Sequence, residues 1–70
     1  MKPASGIRFI HAHLNRNDTI DDNGENRAVC EITRVADGIV WYAVLDRNGT
    51  AISREWCEIS RFPEIFAQAA

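Results

Sequence analysis

The chain has 70 residues, a formal net charge of -2, 46% hydrophobic and 26% charged side chains. That is room for one domain, 1–70, with the make-up of a folded protein rather than a disordered one. The charge balance lacks the basic footprint of a dedicated nucleic-acid binder, and no apolar run approaches the roughly 20 residues of a membrane helix.

Residues 1–5 read as a flexible tail, with Pro3 and Ser5 offering little to bury. The first residues hold no apolar core of a secretory signal, so a cytoplasmic protein with reduced thiols is expected. Residues 7–14 (IRFIHAHL) are rich in strand formers. Ile7 and Phe9 share one parity and Ile10, Ala12 and Leu14 the other, which points to a bulge or a sharp bend between Phe9 and Ile10. Residues 15–26 form a polar loop holding Asp18, Asp21, Asp22 and Glu25. Its twelve residues are long for a connection inside a compact domain.

The next stretch is divided by its turns. A strand over 27–35 leads to Asp37-Gly38, the dipeptide of a type I′ hairpin, which needs positive φ at both positions. A strand over 39–45 leads to Asp46-Arg47-Asn48-Gly49, a second turn, and a strand over 50–57 follows. Residues 7–59 thus read as an antiparallel β meander. In the tail, Pro63 suits a first helical turn, and Phe62, Ile65 and Phe66 are spaced i, i+3, i+4. A short helix over 63–69 is predicted, docked as a lid because so short a helix does not stand alone in water.

A simple hairpin at Asp37-Gly38 pairs residues whose numbers sum to 75. One face then carries Cys30/Leu45, Ile32/Ala43, Arg34/Trp41 and Ala36/Ile39, the better core. The other carries Glu31/Val44, Thr33/Tyr42 and Val35/Val40. Arg34 over Trp41 reads as a cation–π pair. The register of the second hairpin depends on its turn. Three loop residues put Tyr42 across from Arg54 and Trp56 across from Val40. Four turn Trp56 toward the first face with Ile52.

A first strand, a long polar loop, two tight hairpins and a short closing element resemble a small SH3-like barrel over residues 7–66. With the Val-x-x-Gly-x-Val-like hairpin Val35-Ala36-Asp37-Gly38-Ile39-Val40, the chain is similar to uncharacterised bacterial, phage and plasmid accessory proteins. The fold class expected is therefore all-β: a small SH3-like barrel, or a strongly coiled four- to five-stranded antiparallel meander, with a short C-terminal helix. The resemblance implies binding of proteins, peptides or nucleic acid rather than catalysis.

No Gly-x-Ser-x-Gly and no phosphate-binding Gly-rich loop occurs, so no enzyme is expected. Cys30 and Cys57 stand alone on different strands instead of in the close pairs zinc sites use. No metal, no cofactor and no disulfide between them is expected, and His11 and His13 read as exposed or edge-strand residues. Arg34, Tyr42, Arg54 and Trp56 are the candidate binding residues, because aromatics beside Arg are the composition of an interface hot spot. The partner expected is another protein or a second copy in a homodimer. The alternative is a nucleic-acid-binding barrel that stacks bases on the same Arg and aromatic face.

Overall fold

The computed structural model describes residues 2–15 and 27–70. The acidic loop expected over 15–26 therefore lies outside the described residues except for Asn15. Five strands form one antiparallel sheet: β1 Arg8–Asn15, β2 Arg27–Ala36, β3 Ile39–Leu45, β4 Ala51–Glu58 and β5 Phe66–Ala69, in the order β4-β3-β2-β1-β5. A single 3-10 turn, Ile59–Arg61, and a four-residue helix α1, Phe62–Ile65, join β4 to β5.

Both hairpins form where turn chemistry places them. Asp37 and Gly38 take φ of 54° and 76°, the two positive values a type I′ turn requires. In the second turn the Asp46 carboxylate accepts the backbone N–H groups of Asn48 at 2.9 Å and Thr50 at 2.8 Å. Gly49 closes that turn at φ 84°, and its N–H donates to the Asp46 carbonyl.

Two bulges then change the faces. From Ala36↔Ile39 to Arg34↔Trp41 the β2–β3 register is the simple one, but beyond it Ile32 lies opposite Tyr42 and Cys30 opposite Val44. Thr33 and Arg34 together face Trp41, and the Thr33 hydroxyl donates to the Trp41 carbonyl. One extra residue reverses every side chain beyond it. The core face is therefore Cys30, Ile32, Val40, Tyr42 and Val44, all buried, and the expected pairing of Ile32 and Cys30 with Ala43 and Leu45 is corrected. The second bulge falls at Ile52. Asp46 meets Thr50 around three loop residues, yet from Val44↔Ser53 onward the register is that of four. Trp56 is opposite Trp41, and Tyr42 is opposite Glu55, not Arg54.

Both ends of the chain differ from expectation. Helix stops at Ile65, and Phe66–Ala69 pairs with β1, His11 opposite Phe66 and Ile10 opposite Gln68. The period of Phe62, Ile65 and Phe66 suits one helical turn, but an unpaired edge of β1 offers the next residues backbone partners that a marginal helix lacks. At the N-terminus Ala4 and Ser5 are tied down. Ile7 N–H donates to the Ala4 carbonyl, Gly6 N–H to the Ile32 carbonyl, and the Ser5 hydroxyl to the Thr33 carbonyl. The bulge expected between Phe9 and Ile10 is absent from the side-chain alternation, since Phe9 and His11 both point inward; the β1–β2 irregularity comes after Ile10.

The core is built around Phe9, which is fully buried. Its ring meets Tyr42 and Phe62 edge-on at 5.6 and 5.1 Å and stacks near Phe66 at 6.0 Å. Offset and edge-to-face contacts of this kind add to the area they bury.

Candidate functional site

The sheet positions three of the four predicted binding residues on one face and sends the fourth inside. Arg34, Arg54 and Trp56 are exposed on the side away from Phe9, together with half-buried Trp41. Tyr42, only 5% exposed, belongs to the core. It was expected beside Arg54, but the Ile52 bulge takes Arg54 and Trp56 off its face and the Thr33 bulge brings Cys30 and Ile32 onto it, two irregularities in the strands that flank β3. Sequence reasoning could not locate them, because neither Thr33 nor Ile52 has the glycine or proline that often marks an irregular strand position.

On the outer face the side chains form a row. The Arg34 guanidinium lies over the Trp41 ring, 4.8 Å from its centroid, as the sequence suggested. Trp41 in turn faces Trp56 across the β3–β4 ladder. Ile59 N–H donates to the Gly38 carbonyl, and alternation of the ladder from there makes Trp41↔Trp56 a non-hydrogen-bonded pair, the kind whose side chains approach most closely. Trp56 is 61% exposed, and the other large exposed hydrophobics, Ile52 and Ile59, are on or next to the same strand. The neighbouring row holds Ala43 opposite Arg54 and Glu31, whose carboxylate takes a 2.8 Å ion pair from Arg8.

The inner face holds the groups that look reactive, and burial quiets them. Desolvation first, and the Glu55 carboxylate second, push the Cys30 thiol up to about 12, so it stays a thiol at neutral pH. Burial raises Cys57 as well. Tyr42 is pushed up to about 12, chiefly by burial, with Cys30, Cys57 and Glu55 contributing in that order. Both cysteines are free, as their separation by β3 requires.

His11 is buried rather than exposed. Its Nδ1 accepts the backbone N–H groups of His13 at 3.0 Å and Leu14 at 3.1 Å. That leaves the proton on Nε2, which donates to the Tyr42 hydroxyl at 3.3 Å. The ring therefore serves the backbone where β1 leaves its ladder. Burial, and to a lesser extent His13, lower its pKa below 6.5. Exposed His13 has its ring 6.1 Å from that of His11. Among the described residues no three of His, Cys, Asp and Glu group as a metal site would require.

An open recess between β1 and β5 is lined by Ile10, Arg27, Ala67 and Gln68. Among the described residues that line it Arg27 is the one charged side chain, and it donates to the Ala12 carbonyl. No helix among the described residues is long and apolar enough to cross a membrane. Compared with known families, curated proteins and solved structures, the chain matches no family model, no curated protein and no solved structure.

Proposed function

We propose that this protein is a non-catalytic binding module for protein partners, and that Arg34, Trp41, Arg54 and Trp56 form its contact face. The observation that carries the reading is Trp56, a large ring left 61% exposed beside Trp41 and its Arg34 cap. A chain of this size has little apolar area to spare from its core. Leaving a tryptophan outside costs stability that the same ring inside would supply. Trp and Arg are the residues that dominate binding energy at protein interfaces.

The charge supports protein over nucleic acid. Glu31 and Glu58 share the face with Arg8, Arg34 and Arg54, Glu31 being paired with Arg8, and the whole chain is net negative; a phosphate backbone favours the opposite sign. The meander with its short closing strand supports the resemblance to a small SH3-like barrel, and a regulatory or accessory role in the cytoplasm goes with it. The test is affinity capture from host extract with the wild-type protein and with Trp56→Ala. Proteins held by the first and lost by the second support the reading. Salt-sensitive retention on heparin or single-stranded DNA, lost in the same variant, would replace it with base stacking on the Arg and Trp face.

A further inference from the structure

We infer that β4 is a self-pairing edge: two copies of this chain join antiparallel along residues 54–58, centred on Trp56, into one ten-stranded sheet. The inference rests on the protein-binding reading and names the partner.

β4 is the last strand of the sheet, and among the described residues nothing pairs with its outer side. Ladder alternation from the Ile59–Gly38 hydrogen bond turns the N–H and C=O groups of Arg54, Trp56 and Glu58 outward. These are the groups an added strand engages. The same three residues place their side chains on the outer face, since they alternate with Glu55 and Cys57 and lie opposite Ala43, Trp41 and Ile39.

The charges on that strand choose the occupant and the register. Of the devices that protect an edge, β4 lacks lysine and proline but has a bulge at Ile52 and Glu55 on the inner face. Beyond that bulge, Arg54 and Glu58 are placed symmetrically about Trp56 on the outer face. Two copies related by a two-fold axis at Trp56 put each Arg54 opposite the other copy's Glu58, giving two ion pairs. Trp56 meets its own counterpart between them, and about six main-chain hydrogen bonds form along the seam. A register centred on Arg54 or on Glu55 would set like charges directly opposite, which is destabilising. The centred register also continues a row already present. Arg34, Trp41 and Trp56 of one copy run on into Trp56, Trp41 and Arg34 of the next, one side chain per strand. The isologous symmetry needs no second patch on the molecule.

The experiment is sedimentation equilibrium of the full chain from micromolar to millimolar concentration, with Arg54→Glu, Glu58→Arg and their combination. All these positions are exposed, and circular dichroism checks that each variant folds. Wild type is expected to reach twice the monomer mass. Each single reversal sets like charges in both pairs and should weaken the dimer about tenfold or more. The double variant, Arg54→Glu with Glu58→Arg, should regain it. An equimolar mixture of the two single variants should form a heterodimer, because each supplies the sign the other lacks. Trp56→Ala should cost about thirtyfold. A wild type that stays monomeric at about 1 mM overturns self-pairing. So does a dimer indifferent to both reversals. If the monomeric protein still captures host proteins through Trp56, self-pairing alone is overturned and the protein-binding reading stands.

Discussion

The two ends of the sheet both carry aromatic rings and use them in opposite ways. Beside β1 and β5, the rings of Phe9, Phe62, Phe66 and Tyr42 converge on one another and exclude water. Along β4 every residue except Cys57 is exposed, and Trp56 has only Trp41 beside it in the ladder. The first region is closed by the C-terminal segment, which covers the sheet with Phe62 and pairs the edge with β5. Among the described residues the second has no such cover: the sealed edge holds the core, and β4 keeps one side unpaired.

Removing the seal should give the largest effect. Deletion of residues 62–70 takes away Phe62, Phe66 and the β5 ladder together, each large side chain being worth about 1.5–3 kcal/mol. Against the few kcal/mol of reserve typical of so small a domain, the truncated chain should lose its cooperative thermal transition. A normal melt would show that the closed region holds without its cover.

Next come single truncations, one in each region. Tyr42→Ala empties a buried aromatic site and should cost about 3–5 kcal/mol. Trp56→Ala and Arg54→Ala should each change stability by less than about 0.5 kcal/mol, as exposed positions usually do. Denaturant unfolding of the three variants checks the contrast directly. A Trp56→Ala protein as unstable as Tyr42→Ala would place Trp56 in the core and end the comparison.

A smaller effect is expected from pH. His11 has a lowered folded pKa, so the unfolded chain takes up a proton there first. Its contribution to stability is complete above about pH 6.5 and is lost as pH falls from there through the lower folded value. Protonating Nδ1 also expels the N–H groups of His13 and Leu14 from their acceptor. Thermal midpoints measured between pH 7.5 and 5 should fall for wild type and fall less for His11→Gln. Parallel curves would remove His11 from the pH response.

The smallest difference concerns the two thiols. Cys57 is partly exposed toward the open edge, whereas Cys30 is sealed and its thiol is pushed up to about 12. Under native conditions a thiol reagent should label Cys57 first, and Cys30 should react only as the domain opens. Mass spectrometry of partly labelled protein reads the order; equal rates would mean that the closed region breathes as freely as the edge.

What the sequence by itself determined is local chemistry. Asp37-Gly38 and Asp46-Asn48-Gly49 make their turns from their own φ preferences and side-chain bonds, so strand count and order through β4 follow from reading the chain. The Arg34–Trp41 contact was legible for the same reason: it lies three residues from the first turn, before any bulge intervenes. What the tertiary structure alone decided is which side each strand shows. The bulges at Thr33 and Ile52 each exchange inside for outside along the rest of the strand that carries them. Tyr42 became core and Trp56 became surface by that route. Phe66–Ala69 became a strand because the edge of β1, far earlier in the chain, was there to pair with it. These outcomes depend on contacts between distant segments, and no window of neighbouring residues carries them.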